Sequence, residues 1–125
     1  MSDALVGRVV VCRVGTRRFT VPVGAVLEVV TAPGVVRIPG AAAAVRGVVN
    51  VRGGLVTVVS GAALLAEPES GASDYLLVLA LYDGRVAIEV DDVEDLHTTD
   101  SAGRLPTLDV EGLVRPLFRP EATKA

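Results

Sequence analysis

Apolar residues fall in short runs separated by glycine, proline or charge, and most runs are rich in β-branched side chains. Residues 9–14 and 18–21 are two such runs around Gly15-Thr16-Arg17, which predicts a hairpin with a short glycine-containing loop. Residues 23–30 form a third extended stretch. Ala32-Pro33-Gly34 and Ile38-Pro39-Gly40 mark loops, and the alanine-rich run 41–45 predicts a short helix. The strongest local signal is Gly47-Val48-Val49-Asn50-Val51-Arg52-Gly53-Gly54-Leu55-Val56-Thr57-Val58-Val59. Its two apolar runs flank Gly53-Gly54, a pair able to take the positive φ of a two-residue hairpin turn.

That turn sets a register, with Arg52 opposite Leu55, Val51 opposite Val56, Asn50 opposite Thr57 and Val49 opposite Val58. Paired residues share a face. One face is then Val49, Val51, Val56 and Val58, a core surface. The other carries Asn50, Arg52 and Thr57 among apolar neighbours, where a partner or a buried ion pair fits. Further on, residues 61–65 read as a short helix and 67–73 as a polar loop. Residues 75–82 and 85–90 form a second hairpin around Asp83-Gly84. Residues 93–96 are extended, 97–104 a loop and 105–108 a strand. Residues 110–117 predict a helix whose Glu111 and Arg115 complement its dipole. Residues 119–125 read as a frayed tail.

The chain repeats itself. Residues 19–29 align without gaps onto 86–96, an offset of 67, with apolar matches at 19/86, 21/88, 23/90, 26/93 and 29/96 and an acid at 28/95. Further along, residues 53–65 resemble 103–114, and the offset falls to 49 when Ser60 is matched to Asp109. The second copy is therefore 18 residues shorter than the first. It lacks a counterpart of the Ile38-Pro39 loop, the alanine helix and the strand through Arg52. This pattern implies two related β modules in one domain over 1–125, the first over about 9–65 and the second over about 75–118.

Composition narrows the function. Valine occupies 25 of 125 positions, which favours a pleated surface over a helix. The only aromatics are Phe19, Tyr75, Tyr82 and Phe118, little material for stacking bases, and a net charge of −3 opposes a nucleic-acid partner. The single cysteine, Cys12, lies in an apolar run and reads as a buried, inert thiol. No charged and then apolar leader opens the chain, and no apolar run is long enough to cross a bilayer, so the expectation is a cytoplasmic protein with no membrane insertion.

Catalytic chemistry finds no support in the residue pattern. The acids Asp91, Asp92, Glu94 and Asp95 alternate across a strand without EF-hand spacing and read as a solvated edge, not a metal site. His97, the one histidine, lies in a polar stretch with no Gly-x-Ser-x-Gly elbow elsewhere. Gly53-Gly54 precedes no Lys-Ser/Thr and is not a phosphate loop. The expectation is a non-enzyme with no cofactor and no metal.

At Gly47-Val48-Val49-Asn50-Val51-Arg52-Gly53 the sequence resembles the CheW-like domain family, which shows an Ile-Pro loop, a short helix, then a glycine-led strand ending Asn-x-Arg-Gly and an apolar return strand. Val26-Leu27-Glu28-Val29 resembles the family's Val-x-Glu-Val/Ile step, Val90-Asp91-Asp92-Val93 its Val-Asp-x-Val motif, and Leu108-Asp109-Val110-Glu111-Gly112-Leu113 its closing Leu-Asp-Leu-x-x-Leu. The resemblance spans roughly residues 9–118. It implies a mainly β fold of two small SH3-like β-barrels around a shared core, with short helices. It also implies a signalling adaptor in a two-component chemotaxis system, coupling the cytoplasmic tips of chemoreceptors to the regulatory domain of a histidine kinase. In the family, the matching arginine and glutamate pair beside the receptor groove; here these are Arg52 and Glu28.

With Asn50, Gly53, Val26, Val29, Ile38 and Val48, they make up the expected partner-binding set. Two readings stand for the charged pair: an ion pair that shapes a groove and, if buried, costs ~3–5 kcal/mol to break, or two separate solvated charges. Asn50 either orients the groove or satisfies backbone at a strand end. Core packing is the commoner fate of the four apolar members. The chain departs from the family at Val58-Val59-Ser60-Gly61, where an aspartate is missing, and in its shortened second copy, which predicts an incomplete second barrel with an open edge. A homo-oligomer or a partner's strand would cover such an edge. The alternative function is a self-assembling structural module that has lost receptor–kinase coupling.

Overall fold

The computed structural model describes residues 8–31, 34–37, 44–68, 74–81, 84–98 and 105–118. Nine strands and two helices follow in the order β1 (Arg8–Val14), β2 (Arg17–Pro22), β3 (Val26–Thr31), β4 (Val36–Arg37), β5 (Val45–Val51), β6 (Gly54–Ser60), α1 (Gly61–Leu64), β7 (Tyr75–Leu81), β8 (Gly84–Val90), β9 (Asp92–Thr98) and α2 (Val110–Phe118). A short 3-10 turn, Val23–Ala25, separates β2 from β3. The fold is mainly β, as the β-branched runs require. One sheet has the order β2-β1-β9 and the other β3-β7-β8-β6-β5-β4, all neighbours antiparallel except β6 and β8.

The repeat is visible in the pairing. Each hairpin, β1–β2 and β7–β8, takes as its third strand the one that follows the other hairpin: β9 lies on β1 and β3 lies on β7. The sheets therefore exchange strands across the linear halves. The match extends to single residues. Val58 pairs with Ala87 in parallel, and the positions equivalent to them by the offsets 49 and 67, Thr107 and Thr20, form an isolated parallel bridge. Ser60 Oγ accepts from Ala63 N–H at 3.1 Å to cap α1, and its counterpart Asp109 Oδ1 accepts from Gly112 N–H at 3.1 Å to cap α2. The 18 residues absent from the second copy correspond to β4 and β5. No strand equivalent to these two is found among the described residues.

Two apolar clusters hold the sheets. The larger lies between them: Val10, Cys12, Val14, Phe19 and Val21 from the small sheet meet Val59, Leu77, Leu79, Val86, Ile88 and Val90, with Ala62, Leu65, Val110 and Val114 closing the ends. The second, Val49, Val51, Val56, Val58, Leu76, Val78 and Ala87, lies on the other face of the large sheet. That face is concave. Six flat strands would span roughly 24 Å, whereas the chain from Thr31 in β3 to Val36 in β4 reaches at most ~18 Å. The two outermost strands must approach each other, and Val30 and Val35 pack on the same cluster from that side. Among the described residues the curled sheet stays open, because β3 and β4 are not paired to one another.

Several sequence expectations need correction. The central hairpin turns at Arg52-Gly53, not Gly53-Gly54, with Val51 opposite Gly54, Asn50 opposite Leu55, Val49 opposite Val56 and Val48 opposite Thr57. Each partner moves by two places, so the faces survive and Val49, Val51, Val56 and Val58 are all buried. Val45, expected at the end of a helix, opens β5; the rest of that helix at 41–43 lies outside the described residues. Residues 97–98 continue β9 instead of starting a loop. The strand expected at 105–108 is reduced to the Thr107 bridge, made by Thr20 N–H to the Pro106 carbonyl and Leu108 N–H to the Thr20 carbonyl, each at 2.9 Å. Pro106 has no N–H of its own to extend it. Asp83 and the tail 119–125 also lie outside the described residues.

Candidate functional site

Arg52 and Gly53 form the β5–β6 turn with φ of +53° and +84°. Positive φ at both central positions is the type I′ requirement, whose twist matches that of the flanking strands. Asn or Gly is the usual occupant of the first position, and an arginine there carries a steric cost of about 1 kcal/mol. The Asn50 side-chain carbonyl accepts from Gly53 N–H at 2.9 Å and steadies the turn, so this side chain is committed to backbone.

From this turn Arg52 reaches across the mouth of the curl. Its Nε donates to Glu28 Oε2 at 3.0 Å. Glu28 lies on β3 opposite Val78, just past a register shift between Val26 and Glu28. β3 and the β5–β6 hairpin are separated by β7 and β8 in the sheet, so only its curvature brings the pair together. The Arg52 side chain is 78% exposed and that of Glu28 23%. A pair this open contributes at most ~1 kcal/mol; the ~3–5 kcal/mol of a buried pair does not apply. Nε is the nitrogen used, and the guanidinium keeps the donors of its two terminal nitrogens on a largely exposed side chain.

The other expected residues are dispersed. Val29 follows Glu28 on β3 and so takes the opposite face, where it is exposed. Val26 is half-buried against the larger cluster. Val48 is half-buried on the convex face of the hairpin, in a row with Val36 and Thr57. Ile38 lies outside the described residues. Leu27, Val36 and Leu55 are apolar residues the sequence reading passed over, and with Val29 they are the exposed large hydrophobics, Leu55 at 72% and Val36 at 64%. The alternation on β3 marks Leu27 and Val29 as one face. The predicted register already put Leu55 on the outward face, opposite Arg52; the observed one sets it beside Asn50 on that same face.

Charges elsewhere hold the frame. Asp91 Oδ2 accepts from Gly15 N–H at 2.7 Å and lies 3.7 Å from Arg13 Nη1, fastening the first turn to the bend between β8 and β9. Arg46 pairs with Glu89 at 2.9 Å across β6. Arg18 pairs with Glu94 at 2.7 Å, a hydrogen bond that raises the arginine's pKa further. Cys12 is fully buried, and desolvation, helped by the charges of Glu94 and Asp92, pushes its thiol up to about 12. Among the described residues no group of three or more His, Cys, Asp or Glu side chains is placed to hold a metal, and no helix is long and apolar enough to cross a membrane.

Comparisons with known proteins agree with this architecture. The family profile described as the CheW-like domain matches residues 8–122. Among solved structures, the scaffolding protein TtCheW from Thermoanaerobacter tengcongensis superposes with a TM-score of 0.70 at 18% identity. The match covers 74% of this chain and 64% of that one, so the chain spans less than two thirds of that protein's length. A search of curated proteins gave no match.

Proposed function

The chain belongs to the CheW-like domain family, and from that premise we propose that it is a non-enzymatic adaptor that couples chemoreceptors to a chemotaxis-type histidine kinase. It works in the cytoplasm by simultaneous protein–protein contacts and makes or breaks no covalent bond. The receptor tip docks at the mouth of the curled sheet. There Arg52, held by Glu28 through Nε, offers its terminal nitrogens to a carboxylate on the tip, and the exposed Leu55, which follows the same turn, supplies apolar contact. Gly53 belongs to the same turn. The kinase regulatory domain takes a separate surface.

One observation carries this reading: an exposed arginine is kept in left-handed backbone, where glycine would be less strained, and is oriented by a glutamate from a distant strand. Strain retained at an exposed position points to a role for the side chain in recognition. The test is binding of a purified receptor-tip fragment by calorimetry. Arg52→Glu is expected to weaken binding at least about tenfold, equivalent to ~1.4 kcal/mol, while the protein stays folded with its thermal stability lowered by about 1 kcal/mol. Undiminished binding by that folded variant would remove Arg52 from the interface. Concentration-dependent oligomers with no affinity for receptor or kinase would instead favour a self-assembling module.

A further inference from the structure

A groove separate from Arg52 runs between the end of β2 and the start of α2. It encloses about 190 Å³ and is lined by Val21, Pro22 and Ala25, by Leu79 and Ala80 of β7, and by residues 108–111. Its floor is apolar. Asp109 and Glu111 stand on one wall, and among the described residues neither is paired with a cation. Asp109 uses one oxygen to cap α2 and keeps the other.

The internal repeat supplies a control within the same molecule. The positions equivalent to Asp109 and Glu111 are Ser60 and Ala62, both buried and uncharged. The residue between them is Gly61, set so close to β8 that an added Cβ would strike the Glu89 carbonyl. On that side the helix start lies flat on the sheet. On this side Val110 replaces the glycine, and two carboxylates stand beside an open apolar groove. Capping does not require the change to Asp109, since Ser60 caps α1 equally well, while Glu111 also complements the α2 dipole.

We propose that this groove is a docking pocket for a single lysine side chain of a protein partner. The size selects a side chain over a free ligand, because small-molecule sites usually enclose about 300–1,000 Å³, whereas buried anchors at protein interfaces fill one pocket each. The lining selects lysine. Its four-carbon stem covers Val21, Leu79 and Leu108, and its ammonium reaches Asp109 and Glu111 at the rim. The pocket does not depend on the receptor reading, because it shares no residue with the Arg52 site.

The test uses the whole chain, labelled with ¹⁵N and titrated with Nα-acetyl-lysine methylamide, with the norleucine analogue as the uncharged match. The lysine probe should shift the amides of Ala25, Leu79, Ala80 and Gly112, leave those of Glu28 and Arg52 in place, and bind more tightly than norleucine. Glu111→Gln should weaken it roughly threefold, the scale of one partly exposed ion pair. Glu111→Lys, which puts a like charge at the rim and leaves the apolar floor intact, should abolish the shifts. Equal response to norleucine, shifts centred elsewhere, or indifference to both substitutions in folded variants overturns the proposal.

Discussion

Around β1 and around β7 the same parts are laid out: a hairpin, a third strand lent by the other half, a parallel neighbour beside the second hairpin strand, and a capped helix. Around β7 the neighbour is a full strand that continues into β5 and β4 and curls round a second valine cluster. Around β1 it is a single bridge at Thr107. Among the described residues the exposed large hydrophobics all fall in the larger half, and the position equivalent to Leu27 in the smaller half is the charged Glu94. A duplicated frame has thus diverged: one copy carries these apolar residues and the Arg52–Glu28 pair, and the other mainly completes the shared core.

The comparison is open to attack at four points. Leu77→Ala removes a fully buried side chain from the cluster between the sheets and should cost about 3 kcal/mol. Both halves should melt together in urea, since they share that cluster; two separate transitions would mean that the halves are independent. The next effect comes from Cys12 of the smaller half. Its thiol titrates near 12 in the fold but near 9 when solvated, so above pH 9 the unfolded chain releases a proton that the native chain retains. Stability is present in full below pH 9 and falls as pH rises from 9 towards 12, by about 1.4 kcal/mol per pH unit. Cys12→Ala should remove that extra slope, as read from urea midpoints at pH 8 and pH 10.

The caps come third. Ser60→Ala and Asp109→Ala should each cost about 1 kcal/mol, since each frees one backbone N–H at the start of a helix, that of Ala63 and that of Gly112. Thermal melts of the two variants compare the halves directly. The smallest change in stability is expected for Arg52→Gly. It loses an ion pair worth at most ~1 kcal/mol and relieves a left-handed arginine of similar cost, so unfolding should shift by less than about 0.5 kcal/mol. Receptor-tip binding should nevertheless fall. A stable variant with intact binding would show that the hairpin backbone, not the guanidinium, makes the contact.

Most local features were legible in the sequence because they are decided by neighbours. The three hairpins, helices α1 and α2, and the inward face Val49, Val51, Val56 and Val58 follow from alternation and turn chemistry. The turn was misplaced by one residue because Arg52-Gly53-Gly54 offers two glycines, and the Asn50 carbonyl bonded to Gly53 N–H goes with the less obvious choice. The repeat told which segments correspond, down to Thr107 and Val58. What it could not tell is that the third strands are exchanged, because a hydrophobic pattern fixes which face is buried and not which strand lies alongside. The pairing of Arg52 with Glu28 came from family resemblance; its cause, the curl of the large sheet, depends on contacts distant in sequence. The exposure of that pair was likewise out of reach of pattern alone.

The exchange of third strands has a consequence for how the protein is made. β1 leaves the ribosome well before its partner β9, which follows some eighty positions later. The first hairpin must therefore wait, with Val10 and Cys12 wet, until β9 has emerged. Long-range pairing of this kind slows assembly. A ribosome stalled at residue 90 should leave the β1–β2 hairpin protease-sensitive, and synthesis past α2 should bring protection in one step.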